Sequence, residues 1–179
     1  MLVANKKRKE NIVEYILYMY QVENLIRAFN LDVELIEARL IPSYQVDEKK
    51  RSEIIFWYKN LVAMMEKEGI QEEGHFRFLQ NLIVDVNEIH IKLMNSEVDK
   101  VYPQIFHSVA GLINELKEKN NRAKNDIELC LDTIYGFLLL KMQNKEISAE
   151  TEDAVKRLSS WMSALSKLFK DYESGDLEF

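Results

Sequence analysis

Apolar residues recur along this chain at intervals of three and four, the spacing that lines one face of an α-helix, and polar breaks cut the pattern into segments. Ile12, Ile16, Met19, Val22, Ile26 and Phe29 predict a first helix from Asn5 to Phe29. It should stop at Asn30, a residue that tolerates the left-handed conformation found after helices. Asp32 is placed to cap a short helix running to Leu40, and Pro42 is expected to push Ile41 out of helical geometry and close it. Asp47 can cap a helix that carries Ile54, Tyr58, Leu61 and Met65 and stops at Gly69. Leu79, Leu82, Val86, Ile89 and Leu93 predict the next, from Gly74 to Asn95.

Asp99 opens a further helix with Pro103 in its first turn, where a missing N–H leaves no gap in the ladder. The polar run 117–126 reads as the longest loop. From Asp126 to Lys145 the chain is apolar almost all round, with Glu128, Asp132 and Gln143 as a narrow polar stripe. That predicts a central helix buried on several sides, and Gly136 within it predicts a close crossing by a neighbour. Ser148 caps the last helix, with Val155, Leu158, Met162, Leu165, Phe169 and Tyr172 on one face. Gly175 ends it and leaves 175–179 as a tail. The pattern therefore predicts an all-α fold, a single helical domain over 1–179. Its form is a compact antiparallel bundle of about six long helices and one short one.

Composition agrees with that pattern. Five glycines and two prolines are too few for a fold rich in turns. Hydrophobic residues at 47% beside charged residues at 30% argue against disorder. Cys130 is the single cysteine, so no disulfide can close within the chain, which suits a reducing compartment. The basic start followed by apolar residues resembles a leader, but Glu14 interrupts the apolar stretch and no small-residue cleavage site follows. No apolar run approaches the length of a membrane span, and the expected location is cytoplasmic. A net charge of −6 disfavours nucleic acid as a partner. Lys6, Lys7, Arg8 and Lys9 form a basic run at the front, with no aromatic residues interleaved.

The segments KKRKENIVEYILYMYQVENLIRAF, WYKNLVAMMEKEG with the GH that follows, YGFLLLKMQNKEISAET and the ending GDLEF resemble an uncharacterised bacterial family of all-helical domains of unknown function. The resemblance spans nearly the whole chain. It implies a compact helical domain and carries no activity, cofactor or catalytic residue with it.

Candidate chemistry is sparse. Acids three apart (Glu34 with Glu37, Glu115 with Glu118, Glu150 with Asp153) have the spacing that all-α magnesium enzymes use, but pairs of this kind arise by chance among thirty acids. Glu72 and His75 give the di-iron spacing once, at a helix start, with no second copy. No metal site and no cofactor is expected. Cys130 lies in ELCLDTIYGF and reads as a small buried hydrophobe with a raised pKa. Arg27 is placed to pair with Glu23 at i,i+4.

Three polar placements stand out. Glu14 is the only charge in the apolar stretch from Ile12 to Tyr20, and it shares a helix stripe with Tyr18 and Gln21. His90 falls on or beside the apolar stripe of its helix. Glu14 is expected to be held by a cation from another helix, or else to line a pocket with Tyr18 and Gln21. The leading functional expectation is a non-enzymatic interaction or scaffold domain that self-associates or binds a protein, with Tyr15, Tyr18, Tyr20, Trp57 and Tyr58 as interface or core aromatics. The alternatives are an enzyme or small-ligand binder using Glu14, Tyr18, Gln21 and His90, and a nucleic-acid-associated protein using the basic start.

Overall fold

A computed structural model describes residues 2–120 and 122–179. Among them the fold is all-α, with no strand. Its helices are α1 (Leu2–Glu10), α2 (Ile12–Ala28), α3 (Val33–Leu35), α4 (Glu48–Glu68), α5 (Arg77–Asn95), α6 (Tyr102–Lys119), α7 (Asp126–Met142) and α8 (Ala149–Ser174). Helices α2, α5, α6, α7 and α8 pack on one another around a single core, and α8 touches the other four.

Most boundaries follow local chemistry. Asp47 Oδ1 accepts from Lys50 N at 2.9 Å to start α4, and Gly69 in left-handed geometry (φ 71°) ends it. Asp99 Oδ1 accepts from Val101 N and Tyr102 N ahead of α6. Ser148 caps α8 through Thr151 N, and Gly175 ends it. The polar run 117–126 is not the longest loop: α6 continues to Lys119, which leaves a connection over 120–125, shorter than 69–76 between α4 and α5, and Asn125 caps α7; Asn121 lies outside the described residues.

Four further expectations need correction. The first helix is not continuous: Asn11 adopts extended geometry and divides it into α1 and α2. The break is stabilised from both sides. Asn11 Oδ1 accepts from Glu14 N, while buried Ser166 of α8 accepts from Ile12 N and donates to Asn11 Oδ1. Pro42 does not expel Ile41 from helical geometry. Ile41 stays right-handed at φ −60°, because a five-residue π turn (Ile36–Leu40) runs straight into a 3-10 turn (Ile41–Tyr44) with Pro42 in its opening, where no N–H is needed. Gly74 does not begin α5: it sits at φ 92°, and the helix starts at Arg77.

The last correction concerns α7. Its first half is core, with Ile127, Leu129, Cys130, Leu131 and Ile134 buried. Its second half emerges, and Met142 is 65% exposed. Gly136 marks the transition and no crossing occurs there: a Cβ added to it would meet nothing within 4 Å. Of the aromatic residues, Tyr20 and Tyr58 fill the core, while Tyr15, Tyr18 and Trp57 pack half-buried against it.

Candidate functional site

The break at Asn11 swings α1 so that Lys7 lies over α2, with its Nζ 2.7 Å from Glu14 Oε2. Glu14 is 57% exposed and held by this surface pair, not by a buried cation from another helix. Its stripe faces a cleft. Glu14, Leu17, Tyr18 and Gln21 of α2 form one wall, and Tyr135, Leu138, Lys141 and Met142 of α7 form the other. Lys7 of α1 completes the lining. The cavity holds about 350 Å³, near the lower bound of the roughly 300–1,000 Å³ typical of small-molecule sites.

The cleft is apolar in spite of its two tyrosines. Tyr135 accepts from Asn24 Nδ2 at 2.8 Å and donates to the Tyr20 carbonyl at 3.2 Å, so its hydroxyl is occupied behind the wall. Tyr18 bonds through its hydroxyl to Tyr44. Each therefore presents ring to the cavity. The charges stand at the rim: Lys7 with Glu14, and Lys141 with Glu152 of α8 at 3.2 Å. The Lys141 ammonium also lies 4.8 Å from the centre of the Phe137 ring.

Sequence reasoning brought Glu14, Tyr18 and Gln21 together correctly as one stripe, and the structure places all three on this cleft. It missed the α7 wall, because Tyr135, Leu138 and Met142 belong to a segment that reads as wholly buried. Their spacing of three and four is the signal that puts them on one face.

His90 is elsewhere. It is buried between α5, α6 and α8, with Nδ1 2.6 Å from Tyr102 Oη and its ring against Phe106 and Trp161. Trp161 Nε1, which can only donate, bonds to the same Tyr102 oxygen at 3.1 Å. Tyr102 then gives its proton to His90 Nδ1, which requires a neutral imidazole protonated at Nε2. Burial lowers the His90 pKa in the same sense. His90 is a satisfied core residue with no part in the cleft.

A second polar constellation went unforeseen. Glu23 is 0% exposed. It does not pair with Arg27. Its Oε2 accepts from His75 Nδ1 at 2.6 Å and its Oε1 from Phe76 N at 2.8 Å. Arg27 instead donates to the carbonyls of Ile70 and Gly74 and to Asn24 Oδ1, bracing the loop that delivers His75. The His75 ring stacks on Tyr20 at 3.7 Å between centroids, with its side chain 28% exposed. The Tyr20 hydroxyl is buried and makes no hydrogen bond to protein. Asp132 of α7 is close enough to feel both: burial raises its pKa, the nearby His75 opposes that rise and Glu128 adds to it.

This cluster anchors the start of α5, whose first N–H groups find carboxylates in Glu23 and, through Arg77 N, in Glu68. Among the described residues no three of its acids and histidines converge as metal ligands would. Cys130 is likewise withdrawn from chemistry, its thiol pushed up to about 12 by burial.

Fold and cleft together define an all-α domain with an apolar, charge-rimmed groove between two of its helices. The chain belongs to the family described as Domain of unknown function (DUF4924), whose model matches residues 1–176. No match to a curated protein or to a solved structure is found. No helix among the described residues is long and apolar enough to cross a membrane.

Proposed function

We propose that this domain is a non-catalytic cytoplasmic receptor for a small molecule with an apolar body, held in the α2–α7 cleft. The observation that carries the reading is the convergence of Leu17, Tyr18, Tyr135, Leu138 and Met142 on one cavity while the hydroxyls of both tyrosines are engaged elsewhere. Exposed apolar walls of this kind lower their free energy when a guest displaces water from them. A nucleic-acid role for the basic start is not favoured, since Lys6, Lys7 and Arg8 each already face a carboxylate, in Glu10, Glu14 and Glu173. The test uses Nile red, a neutral dye that brightens in apolar sites. Dye emission should rise with the parent and fall to background with Leu138→Glu, while far-UV circular dichroism stays unchanged. Equal emission from both proteins, or none from the parent, overturns the reading.

Self-association is a second reading, supported by Leu140, which is exposed at the emergent end of α7 and lies outside the cleft. Light scattering over a range of concentrations tests it. A dimer that Leu140→Glu dissolves supports it, and a monomer throughout removes it.

A further inference from the structure

We propose that the guest of the α2–α7 cleft is an amphipathic anion, a single apolar chain or ring system ending in one carboxylate, phosphate or sulfate, which Lys7 and Lys141 receive at the rim. This inference rests on the cleft being a binding site and adds the chemical class of its ligand.

The tyrosine hydroxyls are committed behind the walls, to Asn24 and the Tyr20 carbonyl for Tyr135 and to Tyr44 for Tyr18. Gln21 is the one uncharged polar side chain left on the cavity, so the walls select for apolar area and say little about a head group. Head-group choice falls to the rim.

The lining carries two ammonium groups and one carboxylate, and a second carboxylate, Glu152, lies outside the lining 3.2 Å from Lys141. The lining carboxylate, Glu14, is already neutralised by Lys7 at 2.7 Å. A cationic head would find a single carboxylate on the lining, Glu14, already paired with Lys7, whereas an anionic head meets two lysines there. A neutral head would gain little there. An anionic head can draw Lys7 away from Glu14 and Lys141 away from Glu152, and both exchanges are cheap because exposed ion pairs contribute little. Lys7, Glu14, Lys141 and Glu152 all have side chains at least a third exposed, so their long stems can re-aim without repacking the core. The vacated Glu14 then faces water. Lys7 and Lys141 stand on different helices, α1 and α7, so an anion between them would also tie α1 to α7 across the mouth of the cleft.

Three probes with one tail separate the possibilities: decanoate, 1-decanol and decyltrimethylammonium, each titrated below its micelle concentration into the full chain and followed by calorimetry. Decanoate should bind about tenfold or more tighter than the other two, a difference of roughly 1.4 kcal/mol. The double variant Lys7→Gln, Lys141→Gln should erase that preference, so that decanoate and 1-decanol bind this variant with equal affinity. Leu138→Glu should abolish binding of all three. Equal affinity of the parent for decanoate and 1-decanol overturns the anion inference and leaves the receptor reading standing. Absence of binding by every probe overturns both. Preference for decanoate that survives in the double variant places the head group on other residues and also overturns the inference. Lys141 is exposed and Lys7 half-buried outside the core, and an unchanged melting temperature for the double variant separates lost recognition from lost folding.

Discussion

Glu14 and Glu23 lie on the same helix and meet opposite fates. Glu14 sits in the more apolar stretch of sequence, yet it is 57% exposed and its partner is a surface lysine. Glu23 sits among polar neighbours in QVENLIR, yet it is fully buried and satisfied by an imidazole and a backbone N–H. The difference is one of helix phase. The buried face of α2 runs through Ile12, Ile16, Met19, Glu23 and Ile26, steps of three and four that include Glu23. Glu14 falls two residues after Ile12 and two before Ile16, on the opposite side of the helix. Environment is set by the face a residue occupies and by what the facing elements bring, not by the character of its sequence neighbours. The cluster at Glu23 is closed, with each carboxylate oxygen engaged. The cleft at Glu14 is open, with apolar walls and an exchangeable ion pair.

If Glu23 is the closed half of this contrast, removing it carries the largest cost. Glu23→Ala leaves the Phe76 N–H and the His75 imidazole without their acceptor and frees the start of α5. Breaking a buried pair of this kind costs about 3–5 kcal/mol, and the lower end applies because His75 reaches water and can be hydrated in part. Glu23→Gln keeps an acceptor for Phe76 N and should cost less than Glu23→Ala. Urea unfolding measures both. An alanine variant as stable as the parent would show that the cluster holds nothing together.

The elements of the fold were legible because caps and stops are local chemistry: Asp47, Asp99, Ser148, Gly69 and Gly175 act within a turn of their own position. The break at Asn11 was not legible, because the group that stabilises it, Ser166, arrives from α8 at the far end of the chain. Half of the cleft was legible for the same reason that the helices were: Glu14, Tyr18 and Gln21 share a stripe whatever the tertiary structure. The α7 wall depended on which part of that helix the bundle covers, which no local pattern records. Glu23 could have been placed by phase alone, since it lies four after Met19 and three before Ile26. The i,i+4 match with Arg27 offered a surface partner and concealed it.

The closed side of the comparison extends to His90, where the effect is smaller and depends on pH. Its folded pKa is lowered by burial, so the unfolded chain binds a proton more readily than the native one. Stability is then full above the unfolded histidine value of about 6.5 and falls as pH drops below it, by at most about 1.4 kcal/mol per pH unit. The loss stops once pH passes below the folded pKa. Denaturant titrations from pH 7.5 to 5.5 on the parent and on His90→Gln isolate this contribution: the parent's decline should be steeper than the variant's. Parallel profiles would mean that His90 takes a proton in the folded state, against its bond from Tyr102.

On the open side, Gly136 lies in α7 with free space where a side chain would project. Gly136→Ala should raise stability by about 0.5–1 kcal/mol, through better helix propensity and a less flexible unfolded chain. A rise in melting temperature checks this. A fall would mean that a neighbouring helix does approach Gly136 and that the second half of α7 is less open than its exposed Met142 implies.

The smallest stability effect is expected at Glu14, and it completes the contrast because the substitution matches the one made at Glu23. Glu14→Gln removes the carboxylate from an exposed pair with Lys7, and double-mutant measurements of such pairs give about 0.2–1 kcal/mol. Its backbone N–H still bonds to Asn11 Oδ1, so the start of α2 keeps its cap. The variant should therefore unfold within about 0.5 kcal/mol of the parent, the lower part of that range, since Lys7 becomes free to hydrate. If the rim reads an anion, the same change relieves Lys7 of its resident partner, and decanoate should bind severalfold tighter while 1-decanol is unaffected. A loss of several kcal/mol at Glu14, equal to that at Glu23, would make the two carboxylates alike and dissolve the distinction between a closed cluster and an open cleft.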